Sequence, residues 1–187
     1  MFRGDLSWNG NEHNVLLRNE GLNEYGLPQF ADVAMAMGAD DVKDARGMAV
    51  ADLDNDGDLD IVVNHNPGDC GRESVPPVLL RNDVGTKRNF FVMELAGTES
   101  NRDALGTIVK LEAGSTDGSP PLRLIRHVHC GSGYASQSDM RLFFGLGDRA
   151  RIDKLVVRWP QGMVQEFQNI EANRFVRLVE GGELADE

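Results

Sequence analysis

Apolar residues along this chain alternate with polar ones or gather in short β-branched runs, and they seldom recur with helical spacing. The pattern predicts strands over Asn14–Arg18, Phe30–Val33, Met48–Ala51, Ile61–Asn64, Val78–Arg81, Phe90–Leu95, Ile108–Glu112, Leu122–Val128, Arg141–Phe144, Lys154–Trp159, Val164–Phe167 and Arg174–Val179. Gly, Asp, Asn and Pro separate them, and many short strands between such turns argue for an all-β sheet architecture. The one helical candidate is a turn over Val33–Met37, where Ala and Met favour helix weakly. Gly114–Pro121 reads as a hairpin loop rather than a linker, and Asp83–Arg88 is the expected domain boundary. Leu155, Val157 and Trp159 fall on one side of their strand, which assigns Trp159 to a core before Pro160 and Gly162 make a turn. Gly145 and Gly147 are expected to let the backbone bend sharply after Phe144.

The densest polar feature interrupts two of these strands. Asp52, Asp54, Asp56, Asp58 and Asp60 occupy every second position around Gly57. Two carboxylates about 4 Å apart repel by roughly 4 kcal/mol at an effective dielectric near 20, so this density is unfavourable unless a hard cation sits within it. Oxygen ligands at loop positions 1, 3 and 5 with a glycine at 6 point to Ca²⁺. An EF-hand would also need a bidentate Glu at position 12. Counted from Asp52 that position is Val63, inside the apolar run Ile61–Val63, so the EF-hand is excluded. The expected ligands are the side chains of Asp52, Asp54, Asp56 and Asp60 with the backbone carbonyl of Asp58.

A strand, an Asp-rich loop and a second strand over Arg46–Asn64 resemble the FG-GAP/VCBS repeat, the calcium-binding blade motif of integrin-type β-propellers. Asn14-Val15-Leu16-Leu17-Arg18-Asn19 returns almost unchanged as Pro77-Val78-Leu79-Leu80-Arg81-Asn82, an internal repeat with a period of about 60 residues. Farther on, Ser100–Gly106 (SNRDALG), Gly131–Ser138 (GSGYASQS), Phe143–Gly147 (FFGLG) and Val157–Gly162 (VRWPQG) follow in the order found in ASPIC/UnbV domains. Such domains commonly follow FG-GAP/VCBS repeats in secreted proteins, including the cartilage acidic protein group, and occur in proteins encoded beside enediyne biosynthesis genes. The resemblance implies a calcium repeat over residues 1–85 and an ASPIC/UnbV-like β domain over 86–187, an antiparallel sandwich or barrel-like fold.

Composition agrees with a folded chain, since 41% of 187 residues are hydrophobic. A formal net charge of −11 and a pI near 4.8 argue against nucleic acid or an anionic membrane as partner. Met1–Trp8 has no apolar run of signal-peptide length, and no stretch approaches the roughly 20 apolar residues of a membrane span. The family resemblance nevertheless implies an extracellular or cell-surface setting, with the periplasm open, for the C-terminal part of a larger secreted protein or a chain lacking its leader, which are preferred to an intracellular variant. Cys70 and Cys130 are an even pair that suits one disulfide in an oxidising compartment or two buried thiols. A propeller needs four to eight blades and the region before Asp83 supplies about one. The expectation is a single blade packed on the C-terminal domain, with missing upstream blades or oligomerisation as alternatives.

Other chemistry is weaker. His127 and His129 share a strand face and could bind a transition metal, but no further zinc motif supports them, and surface or packing histidines are preferred. Ser132, Ser136 or Ser138 with His129 and Asp139 could be imagined as a triad, yet the Gly-x-Ser-x-Gly elbow is missing, so Gly131–Ser138 reads as a tight turn. Arg3-Gly4-Asp5 is read as a strand start rather than an integrin ligand. No phosphate-binding glycine motif is present.

The reading is therefore a non-enzymatic calcium-binding β module whose metal clamps a strand-loop-strand unit for interaction with an unidentified protein or glycan. The alternative is an enzyme or accessory protein of enediyne-type natural-product biosynthesis, which a polar pocket gathering Arg126, His127, His129 and Asp139 would favour. A glycan-binding platform would require Trp159 or Tyr134 to be exposed.

Overall fold

The computed structural model describes residues 13–66, 75–115, 118 and 120–187. Its elements are almost all strands: β1 (Leu17–Leu22), β2 (Pro28–Asp32), β3 (Ala45–Ala51), β4 (Asp60–His65), β5 (Val78–Leu80), β6 (Asn89–Ala96), β7 (Ile108–Ala113), β8 (Leu122–His127), β9 (Leu142–Gly147), β10 (Arg151–Arg158), β11 (Val164–Glu171), β12 (Arg174–Val179) and β13 (Leu184–Asp186). A helical turn, α1 (Ala34–Met37), stands where Ala and Met predicted it and ends at Gly38 in the left-handed region, and a 3₁₀ turn covers Gly85–Lys87. Contacts divide the chain into two compact units whose segments alternate: unit 1 is Met1–Met48 with Ile61–Leu80, and unit 2 is Ala49–Asp60 with Arg81–Glu187.

In unit 1, β1 and β2 form an antiparallel ribbon with an irregularity between Asn19 and Gly21. The Asn23 side chain closes its turn by accepting hydrogen bonds from the backbone N–H groups of Tyr25 and Leu27. The strand begins at Leu17 rather than Asn14 because the N–H of Leu16 is held by the Asp32 carboxylate instead of a ladder partner. β4 pairs antiparallel with β5, Ile61 opposite Leu80. Ala34, Val63 and His65 are buried here, but Leu17, Leu22, Tyr25 and Phe30 are exposed.

Unit 2 holds two four-stranded sheets, ordered β11-β10-β7-β8 and β13-β12-β6-β9. Burial alternates along their strands, as in β7 and β12, so each sheet has one apolar face. Phe91, Met93, Val109, Leu111, Phe144, Leu155, Val157 and Leu178 come from both sheets and form a single buried cluster. This is a sandwich with no closed barrel, which decides between the two β architectures expected from the sequence. It is not wholly antiparallel: β6 and β12 run parallel, Phe91 opposite Arg174. The chain between those two strands builds the opposite sheet and β9 before returning, a long connection that allows parallel pairing.

Two further differences from the sequence reading are local. β9 stays extended through Gly145, which lies opposite Phe90, and the positive φ falls only at Gly147. β13 has no counterpart among the expected strands, because its three residues, Leu-Ala-Asp, are too few to show an alternation. Trp159 is 1% exposed, in the core where its alternation placed it. Its indole N–H donates to Gln165, whose amide in turn reaches the carbonyl of Gly182.

Candidate metal centre

The chain enters the acidic loop from β3 and leaves it into β4 at Asp60. Asp52 is 4% exposed, and its two carboxylate oxygens accept the N–H groups of Asp56 and Gly57 at 3.1 and 3.0 Å. Asp56 accepts the N–H of Asp58, and Asp60 accepts those of Leu53 and Asn82. Asn55 and Gly57 sit at φ 58° and 94°, so the loop curls back on itself. Gly57 is required twice over. Beyond its backbone angle, a Cβ there would lie 2.4 Å from Cζ of the Phe90 ring.

The result is a ring of acids. Asp52, Asp54 and Asp56 each offer a carboxylate oxygen, all within 4.8 Å of one another, and this is the one such group among the described residues. Calcium takes oxygen at 2.3–2.6 Å, so two oxygens on one ion stand at most roughly 5 Å apart. The three oxygens meet that condition, and an all-carboxylate set is the donor chemistry of a hard cation. The Asp54 carboxyl is held above the usual range by desolvation first, then by the negative charges of Asp56 and Asp60. Asp58 and Asp60 lie outside the group of three. The side chain of Asp58 is buried against Gly85, which leaves its carbonyl as the group it could offer, while Asp60 is 2% exposed and spends both oxygens on backbone N–H groups.

What holds the loop from outside was not legible in the sequence. Arg141 donates to the Asp52 carbonyl and to Oδ1 of Asn55, both at 3.2 Å, while its fork grips Asp139 at 2.6 and 2.8 Å. Hydrogen bonding to Asp139 pushes the guanidinium pKa further up. Its Cζ also lies over the Phe143 ring, 5.3 Å from the centroid. Beside it, the Ser138 hydroxyl accepts the N–H of Val50, and the N–H of Asp139 donates to the Val50 carbonyl. Arg141 opened a predicted strand and Ser138 closed a predicted turn, and neither position carries a signal that it would reach a loop more than eighty residues earlier.

A second polar place lies nearby. A pocket of about 200 Å³ gathers Arg126, His127, His129 and Asp139, with Ser132 and Ser138 on its wall. The two imidazole centroids are 6.2 Å apart, and neither ring has a hydrogen-bond partner among the described residues. The imagined triad does not assemble from these groups: Ser132 and Ser138 bond each other at 2.9 Å and Asp139 is taken by Arg141. Tyr134 is exposed and Trp159 is not, so a glycan platform that includes Trp159 is ruled out. Cys130 is exposed. Cys70 and Arg3-Gly4-Asp5 lie outside the described residues.

The four motifs that carried the family resemblance are largely scaffold. Glu180, 5% exposed, accepts the N–H groups of Thr98, Glu99 and Ser100 on one oxygen and the Ser100 hydroxyl on the other, at 2.7 to 2.9 Å. Asn101 closes the same loop by bonding the N–H and carbonyl of Leu105. The chain around Gly97 is pressed so close that a Cβ there would lie 2.2 Å from the Asn101 carbonyl oxygen. No curated protein matches this chain. Residues 97–185 match the family model described as ASPIC and UnbV, and this stretch of unit 2 carries an ASPIC/UnbV domain.

Proposed function

We propose that this chain is a non-enzymatic calcium-binding β module, an FG-GAP/VCBS-like loop joined to its ASPIC/UnbV domain, acting at an extracellular or cell-surface site on a protein or glycan partner. The observation that carries the reading is the trio of carboxylate oxygens from Asp52, Asp54 and Asp56 within 4.8 Å. Asp60 and the carbonyl of Asp58 complete the proposed ligand set. A bound Ca²⁺ supplies positive charge that cancels the repulsion within the loop. Through Arg141 and Ser138, a stiffened loop also stiffens the sandwich surface that those residues line. Residues 46–64 have the strand, loop and strand of that repeat, with its apolar exit at Ile61–Val63.

The test is the melting midpoint of metal-stripped protein in calcium, in magnesium and in chelator. Calcium alone should raise it by several degrees, because binding to the folded state stabilises by mass action. The double variant Asp54→Ala, Asp56→Ala should lose that gain and melt no lower than wild type in chelator, where its removal of like charge is no handicap. A wild-type midpoint indifferent to calcium would sink the reading.

One observation favours a second reading, an enzyme or accessory protein of natural-product biosynthesis: the pocket that collects Arg126, His127, His129 and Asp139, with neither imidazole hydrogen-bonded among the described residues. Its test is a producing host whose own copy carries His127→Ala and His129→Ala. Altered product with an intact calcium response in the purified variant supports this reading, and unchanged product removes it.

A further inference from the structure

A cleft of about 590 Å³ lies in unit 2, between the ends of β6 and β12, the Ser100–Gly106 loop and the Asp139–Arg141 segment. Its size is within the roughly 300–1,000 Å³ of small-ligand sites. The six charged side chains that line it, Arg102, Arg141, Arg177, Glu94, Asp103 and Asp139, balance to zero. Such a lining has no net preference for a polyanion or a cation. β6 and β12 are both interior strands of their sheet, so no open strand edge is present to extend with a peptide, and recognition falls to side chains.

Four of those side chains make no hydrogen bond among the described residues. Arg141 and Asp139 satisfy each other. Glu94 and Arg177, opposite one another in the parallel register, make no hydrogen bond among the described residues. Arg102 stands 3.6 Å from Asp103, beyond hydrogen-bond length. Planar donors and carboxylate acceptors therefore share the lining with the apolar Leu95, Val128 and Met140. Neighbouring hydroxyl groups, each both donor and acceptor, match that arrangement.

The wall of this cleft is also the support of the acidic loop. Arg141 lines the cleft while holding the Asp52 carbonyl and the Asn55 side chain. We propose that the cleft binds a neutral polyhydroxylated ligand, an oligosaccharide, and that Arg141 is the positioning residue that makes this binding depend on the cation state of loop 52–60. The coupling rests on the calcium reading above, whereas the ligand class does not.

The experiment uses the full chain and titrates cellotriose, maltotriose and mannotriose, with trigalacturonate as the anionic comparison, in calcium and in chelator. At least one neutral trisaccharide should bind in calcium, weaken several-fold in chelator, and weaken roughly tenfold in Arg177→Ala, the loss expected for a hydrogen bond to a charged group. Arg141→Gln should keep a calcium-raised melting midpoint yet bind the sugar equally with and without calcium, which general loss of structure would not produce. Binding by trigalacturonate alone, or by none of the neutral sugars, overturns the ligand class. Wild-type affinity identical in calcium and chelator, in protein whose midpoint does rise with calcium, overturns the coupling. If the midpoint itself ignores calcium, the metal reading has failed, and sugar binding sensitive to Arg177→Ala would still uphold the ligand class.

Discussion

In unit 2, Phe91, Leu111 and Leu155 are 0% exposed and Trp159 1%, whereas in unit 1 Leu17, Leu22 and Phe30 are 59%, 70% and 57% exposed. All seven lie on or at the end of strands and have the same chemistry. The difference is coverage. Each sheet of the sandwich offers its apolar face to the other, while β1 and β2 form a two-stranded ribbon, an arrangement that is marginal in water without further cover. Alternation of polar and apolar residues thus specifies a pleated strand with two unlike faces, and a second sheet must be present before the apolar face becomes a core.

The comparison breaks most sharply under truncation. Phe91→Ala should cost about 3–5 kcal/mol, the range for large-to-small changes in a filled core. Phe30→Ala should cost under about 1 kcal/mol, as surface changes usually do. Chemical denaturation of both variants measures this. If Phe30→Ala proves as costly as Phe91→Ala, the β1–β2 face is covered in solution, by a second copy of the chain or by another partner, and the contrast between the units is one of assembly rather than of folding.

A smaller effect sharpens the position of the acidic loop between these extremes. The loop lies in unit 2, where Gly57 touches the Phe90 ring. Gly57→Ala combines a φ of 94° with a Cβ 2.4 Å from that ring, and should destabilise unit 2 by about 1–3 kcal/mol. Adding Phe90→Ala relieves the steric part alone. A Gly57→Ala protein as stable as wild type, in calcium and chelator alike, would show that the loop does not share the stability of the sandwich.

Much of this architecture could be read from the residues because its signals are local. Alternation located nearly every strand, and the spacing of Asp52, Asp54 and Asp56 around Gly57 was enough to expect their carboxylates near one another, since a turn brings positions two apart together. Partner choice was not legible. Nothing in β6 or β12 says that they pair in parallel, because periodicity reports faces and not neighbours. The support given by Arg141 to Asp52 spans 89 positions, and the grip of Glu180 on Ser100 spans 80. In both cases nothing around the charged residue in the sequence names its distant partner. Ser100 and Asn101 did stand out as marks of a family, yet their roles, anchoring to Glu180 and closing on Leu105, appear only when the loop is seen folded.

Glu180 provides the finest test, because it ties the end of β12 to the family loop through charge. Burial pushes its carboxyl upward, but the N–H and hydroxyl of Ser100, with the N–H groups of Thr98 and Glu99, outweigh that and hold it below its ordinary value of 4.5. A carboxyl lowered on folding binds fewer protons in the folded than in the unfolded state through the acid range. Its contribution is therefore complete above the ordinary value and disappears as pH falls through the lowered one. Glu180→Gln keeps the shape and removes the charge, so it should melt below wild type near neutrality, and the gap should narrow as pH falls through and below the ordinary value. Midpoints of the two proteins across that range, both taken in chelator, measure it. A gap that stays constant down to the acid limit would mean that the loop is held by the shape of the Glu180 side chain rather than by its charge.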